Sequence, residues 1–285
     1  MKRNLEKLTK GNLVNNDLWK NKLKQDCLDK NVFLAIRDDN VGFYHEGGKL
    51  FGLDSKGFKT HFKFASVIDP NNEKDSYLTK TDLSELKLIS DFEKGYSQIK
   101  ENCSNYSGVE AKGVSKLYSE SSYLSGKNVV VLDIEVSFAT DDDEKTQDRI
   151  DIVLLNTKNK KLLFVEAKHF SNGEIWSTST PKVIKQLDKY KKQIIRREKE
   201  ILEEYSKYVD IINELFVPSQ LLPKPTSIDD KKVVLLIFGF DKNQKEGRLK
   251  ELIKENPAYK GVNCYFKGNI EKTDLEKTIW KAKEL

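Results

Sequence analysis

The sequence has few cysteines and no long apolar run. Its three cysteines, Cys27, Cys103 and Cys264, lie far apart in 285 residues, and none belongs to a CxxC pair or a histidine cluster. A zinc or iron–sulfur site is therefore not indicated, and so sparse a set is typical of a reducing compartment. The longest apolar stretches, such as residues 233–238, are far shorter than the roughly 20 residues of a membrane-spanning helix.

The sequence has neither the pattern expected of a leader segment nor a strong charge of one sign. The first residues, MKRNLEKLTKGN, are basic, but no apolar segment follows them, so the pattern predicts no signal peptide and favours a cytoplasmic protein. There are 50 basic and 45 acidic residues, which gives a net charge of +5. This excess is too small to indicate a nucleic-acid partner by itself. The 38% hydrophobic and 33% charged composition is that of a soluble globular protein.

The first part of the chain predicts a small β-rich domain. After a short helix over residues 17–30, residues 31–65 contain apolar and aromatic runs separated by turn residues at hairpin spacing, which predicts a four-stranded meander. A polar linker at 69–76 predicts a boundary. We therefore expect a β-rich domain over residues 1–76 and a second domain over residues 77–285.

The second part alternates helical and extended patterns, which predicts an α/β (α+β) fold. Apolar spacing and caps predict a helix from 81 to about 102, a less regular helical stretch to 123, a long helix from 181 to about 215, a helix near 248–255 and a last helix from 274. Apolar runs predict strands at 129–138, 149–156, 161–168, 232–240 and 262–267.

Three charged residues occupy the most apolar of these strands. Asp151 and Glu166 are equally distant from the centre of the short loop at 157–160, so a hairpin places them side by side, and Lys168 projects from the same face as Glu166. Ionised groups on buried strands are costly unless they are paired, hydrogen-bonded or bound to a metal. Two adjacent carboxylates suit Mg²⁺ or Mn²⁺, and with a lysine they suit phosphodiester hydrolysis.

The ExK pattern itself is common in so charged a chain. It occurs at 85–87, 110–112 and 166–168, and only the third ends an apolar run whose preceding strand carries an aspartate. A structural ion pair or a polar sheet edge is the alternative interpretation.

The arrangement resembles the PD-(D/E)xK (restriction-endonuclease-like) nuclease superfamily. The resemblance covers residues 83–240 and is carried by Asp151 and by Glu166-Ala167-Lys168, with Ile150 in place of the proline of the motif. It implies an αβββαβ core with a mixed sheet flanked by helices. It also implies that Asp151 and Glu166 bind Mg²⁺ or Mn²⁺ and that Lys168 is the catalytic lysine.

A second motif lies in the predicted long helix. Gln186 and Tyr190 are similar to the QxxxY motif of RecB-type and Cas4-type members, and their spacing of four places both on one helical face. This resemblance implies a role for both in the same site. The alternative is that Tyr190 belongs to the apolar stripe and Gln186 to the surface.

Further charged residues are candidates for metal and nucleic-acid binding. Glu135 is the candidate third metal ligand, with Glu110 and Glu120 as rivals, whereas His169 points away from Lys168 and is expected to be structural. The long helix is strongly basic and is expected to bind the nucleic-acid backbone, unless its charges form only a solvated face. Its candidate contacts are Lys182, Lys185, Lys189, Lys192 and Arg196.

These patterns predict a metal-dependent nuclease that acts on DNA in prokaryotic restriction, defence or DNA repair. The sequence does not distinguish RNA from DNA as the substrate. It is also compatible with a homo-oligomer or with a protein partner bound through the N-terminal domain. The competing hypotheses are a catalytically inactive nucleic-acid-binding or interaction module with a nuclease-like fold, and a purely structural ion-pair cluster.

Overall fold

Two large β-sheets, a two-stranded sheet and the helices around them make up the described part of the chain. The computed structural model describes residues 1–67, 87–138, 149–177, 179–218 and 220–285, over which the elements are numbered below. The mixed α/β class predicted from the sequence is confirmed. No helix within these ranges is both long and apolar enough to cross a membrane. The predicted linker at 69–76, and with it the domain boundary, lies outside the described residues.

The predicted four-stranded meander is confirmed. Its strands pair in the antiparallel order β1-β2-β3-β4, and the β2–β3 turn contains Gly47 with φ +88°. One face of this sheet is fully buried through Phe43, Phe51 and Leu53. The elements are α1 Lys7–Val14, a π-helical turn Trp19–Leu23, α2 Lys24–Leu28, β1 Phe33–Ile36, β2 Val41–His45, β3 Gly48–Asp54 and β4 Gly57–Lys59.

The predicted helix over 81–102 is wrong in its described first part. A two-residue strand, β6 Lys87–Leu88, pairs with β5 Ser66–Val67, which follows the short helix α3 Phe62–Ala65. Helix α4 begins only at Tyr96 and runs over Tyr96–Asn105. The reason is that residues 87–89 pair with the segment before them, where the Ile89 amide donates to the Ala65 carbonyl at 2.8 Å. The Asp91 carboxylate, which accepts the Lys94 amide at 3.1 Å, caps the turn that leads into the helix. Helix α5, Val109–Glu120, follows as predicted.

The three central strands and their hairpin are also confirmed. In the described residues a six-stranded mixed sheet has the order β12-β11-β10-β9-β8-β7, in which β7, β8 and β9 are antiparallel and β10 is parallel to both β9 and β11. Ile152 pairs with Val165, which is the predicted register. The strands are β7 Val129–Val136, β8 Ile150–Asn156, β9 Lys161–His169, β10 Ser227–Phe238, β11 Asn263–Lys267 and β12 Lys283–Glu284.

The single long helix predicted over 181–215 is interrupted. After a 3₁₀ turn at Gly173–Ile175, helix α6 covers Lys182–Arg196 and helix α7 covers Glu198–Phe216, because Arg197 leaves the helical region at φ −113° and ψ 17°. The break allows each helix to bury its own stripe. Leu187 and Tyr190 are buried on α6, and Tyr205 and Tyr208 on α7.

The last predicted helix, from residue 274, is also wrong. Turns occupy residues 275–278, and only a 3₁₀ turn at Ile279–Lys281 follows, since the chain then extends to pair β12 with β11. The helix predicted near 248–255 is present as α9. The intervening elements are α8 Lys242–Gln244, a π-helical turn Lys245–Leu249, α9 Lys250–Glu255 and a 3₁₀ turn Pro257–Tyr259.

The two sheets are joined by buried contacts. Their apolar residues belong to one continuous core, and the Leu34 carbonyl of β1 accepts hydrogen bonds from Tyr123 at 2.9 Å and from Tyr208 at 3.3 Å. The N-terminal sheet is thereby fixed beside β7. The division of the chain into two domains stays a prediction.

Candidate active site

Three acidic residues occupy opposing register positions on strands β7, β8 and β9. Continuing the β8–β9 register by one residue beyond Ile152 and Val165 brings Asp151 opposite Glu166. The Asp151 carboxylate accepts a hydrogen bond from the amide of Ala167 at 2.7 Å, so it reaches over the chain directly after Glu166.

Glu135 completes this row from β7. It lies between residues that pair with Ile152 and Ile150, which makes Asp151 its counterpart on β8. Its backbone has φ +51°, in the left-handed region that non-glycine residues seldom adopt. The sheet therefore places Glu135, Asp151 and Glu166 on consecutive strands.

Lys168 is held between two carboxylates. Its ammonium lies 2.9 Å from Glu166 Oε1 and 3.0 Å from Glu174 Oε2, and only 8% of its side chain is exposed. Glu174 comes from the 3₁₀ turn after β9, where Asn172 caps its amide at 2.9 Å. Sequence reasoning missed Glu174, since a charged residue in a polar loop carries no periodic signal.

Two carboxyl groups of this row, those of Asp151 and Glu166, have strongly perturbed pKa values. Burial raises the pKa of Asp151 well above its usual range, and the charge of Glu166 raises it further. Burial also raises the pKa of Glu166 to about 7, although Lys168 acts in the opposite direction. Burial lowers the pKa of Lys168, but the charges of Glu166 and Asp151 outweigh burial and leave this pKa above its usual range. The carboxylates thus have less positive charge around them than their ionised forms require.

The two rivals for the third acidic ligand lie at opposite ends of α5. Glu110 accepts hydrogen bonds from the amide of His169 at 2.8 Å and from Asn172 Nδ2 at 2.9 Å, and its charge raises the pKa of Glu166. Glu120 instead accepts the amide of Lys272 at 2.9 Å. Ten helical residues separate the two, which is about 15 Å. The structure brings Glu110 to the end of β9 and does not bring Glu120 there.

A small cavity borders the acidic row. It has a volume of about 80 Å³, and its walls include Glu110, Glu135, Asp151 and, from the N-terminal sheet, Tyr44 and Gly47. Glu135 lies 3.5 Å from the guanidinium of Arg149. Glu110 and Glu135 therefore both remain candidates for a third ligand.

The donor set fits a hard divalent cation. Glu166 Oε2 is buried and has no hydrogen-bond partner among the described residues, and such an orphaned carboxylate oxygen is suited to a metal. Over the same ranges, no three acidic, histidine or cysteine side chains are already grouped as a metal would require. Asp151 and Glu166 are the residues that would hold Mg²⁺ or Mn²⁺ here.

Gln186 and Tyr190, the two residues of the QxxxY-like motif, differ in their hydrogen bonds. The buried Tyr190 hydroxyl donates to the carbonyl of Arg149 at 3.0 Å, two residues before Asp151, so Tyr190 orients the start of β8. The amide oxygen of Gln186 is buried without a hydrogen-bond partner in the described part of the chain.

The basic face of α6 begins beside Lys168. Lys182, in the first turn, forms an ion pair with Glu174, the residue that also contacts Lys168. From there the basic side chains extend along a helix of 15 residues, about 22 Å long. The exposed ones are Lys182, Lys185, Lys192 and Arg196, and Lys189 is half-buried.

The chain matches no protein-family model, no curated protein and no solved structure. The likeness to the nuclease superfamily therefore depends on the residues and on their arrangement.

Proposed function

We propose that the protein is a metal-dependent nuclease that hydrolyses phosphodiester bonds of DNA. The observation that carries this proposal is the strand register that sets Asp151 opposite Glu166. Glu166 Oε2 is buried without a hydrogen-bond partner among the described residues, and the Lys168 ammonium lies 2.9 Å from Glu166 Oε1. Such carboxylates hold hard cations, and the lysine adds a positive charge for an anionic reaction centre.

Each residue has a distinct role in this proposal. Asp151 and Glu166 would hold Mg²⁺ or Mn²⁺, which would supply Lewis-acid polarisation of the phosphodiester and activation of a water. The Lys168 ammonium lies between the carboxylates of Glu166 and Glu174. It stabilises negative charge on the phosphoryl oxygens, while Glu174 fixes its position.

The basic face of α6 supports DNA as the substrate. Lys182 starts this face next to Glu174, so a phosphate backbone lying along α6 reaches Lys168. A second candidate is an inactive nucleic-acid-binding module, favoured by the two ion pairs that Lys168 already makes. In that case the cluster would only brace the end of β9.

Cleavage assays separate these candidates. Plasmid, linear duplex and single-stranded DNA, with RNA in parallel, are incubated with Mg²⁺, Mn²⁺ or a chelator. The proteins are wild type, Asp151→Asn, Lys168→Ala and, as a control, Lys283→Gln, which alters an exposed lysine on the opposite edge strand β12. We expect metal-dependent cutting of DNA that falls on the order of 100-fold in the two site variants and persists in the control.

Thermal unfolding provides a readout independent of cleavage. Mg²⁺ or Mn²⁺ should raise the melting temperature of the wild type, because a ligand that binds only the folded state stabilises it. The melting temperature of Asp151→Asn should not change when the metal is added. Equal cutting by all four proteins would refute catalysis at this site. DNA binding without cutting, and without stabilisation by metal, would identify the inactive module.

A further inference from the structure

The outer face of the N-terminal sheet carries a flat group of side chains. Tyr44 pairs with Lys49 across β2 and β3, and Gly52 pairs with both Gly42 and Lys59. These five residues, Gly42, Tyr44, Lys49, Gly52 and Lys59, are called the lysine face below. Its back is the buried face of Phe43 and Phe51, so the lysine face is the outward side of the same strands.

The two glycines allow the longer side chains to lie down on the sheet. A Cβ atom on Gly42 would be 2.7 Å from Tyr44 Cε2 and 3.3 Å from Lys49 Cε. One on Gly52 would be 3.3 Å from Lys59 Cε and 3.5 Å from Lys49 Cε. The tyrosine ring and both lysine stems therefore lie side by side over the glycines, and both lysines remain exposed.

Positive charge on this face is incompletely compensated. Lys49 makes no ion pair with any described residue, whereas Lys59 is 2.6 Å from Asp54. The stem of Lys49 is partly covered where it lies over Gly42 and Gly52, and this partial burial lowers the pKa of its exposed ammonium below the usual value. The charges of Arg37, Lys59 and Arg149 lower it further, as expected where cations gather without enough anions.

The lysine face leads into the acidic site. Tyr44 lines the small cavity that also contains Asp151 and Glu135. The adjoining turn is tightly fixed, since the Gly47 amide donates to the Tyr118 hydroxyl at 2.9 Å and a Cβ on Gly47 would be 2.4 Å from the carbonyl carbon of Ala111. The turn between β2 and β3 is thus fixed against α5, whose Glu110 lines the same cavity.

An acidic site repels a polyanion, so the substrate needs a cationic surface beside it. We infer that the lysine face binds the phosphates of the DNA strand whose scissile bond lies at Asp151 and Glu166, an inference that rests on the proposed nuclease function. The exposed ammonium groups of Lys49 and Lys59 contact successive phosphates. This assigns to the N-terminal sheet a substrate-binding role in addition to that of α6.

Binding measured without catalysis tests this inference. Fluorescence anisotropy of labelled duplex and single-stranded DNA is recorded in chelator over a range of salt concentrations. For the double variant Lys49→Gln, Lys59→Gln we expect Kd to rise on the order of tenfold, and the slope of log K against log salt for duplex DNA to decrease in magnitude by about 1.8, from two phosphate contacts at about 0.9 each.

Three matched variants sharpen the test. Lys283→Gln removes an exposed lysine far from the site and should bind as the wild type does. Lys49→Arg keeps the charge and should keep the affinity. Asp54→Asn releases Lys59 from its ion pair and should lower Kd, while its side-chain oxygen can still accept the Lys56 amide.

The outcomes separate this inference from the proposed function. If the wild type cuts DNA but the double variant binds as Lys283→Gln does, the lysine face is not the binding surface and the nuclease proposal stands. If the double variant loses binding while the wild type never cuts, the surface is supported and the nuclease proposal fails. A wild type that binds no DNA, or that binds RNA of the same sequence more tightly, overturns the assignment of DNA to this face.

Discussion

The carboxylate of Asp133 lies 2.8 Å from the guanidinium of Arg37, and this contact joins the N-terminal sheet to strand β7. Asp133 is fully buried and also accepts from Arg3 Nε at 3.0 Å and from the Tyr205 hydroxyl at 3.1 Å. It lies two residues before Glu135, so the same network supports one end of the acidic row.

Removing the charge of Asp133 should strongly destabilise the protein. Asp133→Asn keeps the shape of the side chain but leaves two guanidinium groups short of a counter-charge, one of them the buried Arg3. We expect a loss of about 3–5 kcal/mol in the free energy of unfolding, measured by urea denaturation. Asp210→Asn, which breaks an exposed pair with Lys224, is the control and should cost less than about 1 kcal/mol. Similar losses in both variants would show that the network contributes little.

Glu174 should affect the rate of cleavage, through its contact with Lys168, and should leave the affinity for substrate unchanged. Glu174→Gln removes one of the two carboxylates that hold Lys168, so we expect kcat to fall about tenfold with KM nearly unchanged. Lys192→Gln removes an exposed basic side chain of α6 that does not contact Glu174, and should instead raise KM while kcat persists. Steady-state cleavage kinetics separate the two effects, and a matching fall in kcat in both variants would contradict a positioning role for Glu174.

Asp26 makes stability depend on acid pH. Burial raises the pKa of Asp26, but hydrogen bonds from Lys100 and Tyr96, each at 2.6 Å, outweigh it and leave the pKa below the ordinary 3.8. The folded state therefore binds this proton more weakly than the unfolded state. The stabilisation is complete above the unfolded pKa and is lost as pH falls through the folded one.

The variants Asp26→Asn and Tyr96→Phe test this dependence. Each should lose about 1–2 kcal/mol of unfolding free energy at pH 7 relative to the wild type. For Asp26→Asn the difference should shrink when urea titrations are repeated towards pH 3. Tyr96→Phe keeps the ring that stacks on Phe51 at 6.1 Å, so its loss reports the hydroxyl alone. A difference for Asp26→Asn that is constant with pH would refute the assignment.

Two helical glycines should respond in opposite directions to alanine. In α5, a Cβ on Gly113 would lie 2.2 Å from Phe238 Cε2, whereas in α1 a Cβ on Gly11 would meet nothing within 4 Å. Gly113→Ala should therefore destabilise by about 1–3 kcal/mol through overpacking. Gly11→Ala should stabilise by about 0.5–1 kcal/mol, since alanine loses less backbone entropy in a helix. Thermal and urea unfolding measure the change in stability of each variant. Changes of the same sign in the two variants would contradict this packing.

Much of the fold could be predicted because its signals are local. The meander over residues 31–65 and the hairpin that aligns Asp151 with Glu166 follow from alternating apolar residues and polar turns, which determine register. The predicted helices at 81–102 and from 274 failed where pairing with another strand decided the structure. Residues 87–88 pair with β5, and after Lys281 the chain extends to pair with β11.

The candidate site was only partly predictable. Glu166 and Lys168 stood out because charge on an apolar strand is conspicuous, but Glu174 and the lysine face did not. Glu174 reaches Lys168 from a loop, and Tyr44 reaches the cavity of Asp151 from more than 100 residues earlier in the chain. Neither relationship leaves a periodic pattern, because both depend on how separate elements pack.

The contacts of Asp133 can form only in a certain order while the chain is being synthesised. Its cationic partners precede it by 130 and 96 residues, whereas the Tyr205 hydroxyl comes 72 residues later. Strand β10, which covers β9 from its other side, follows later still. A nascent chain on the ribosome therefore holds the acidic row before the elements that enclose it exist, and the network around Asp133 and the sheet beside β9 are complete only after Tyr205 and β10 have emerged.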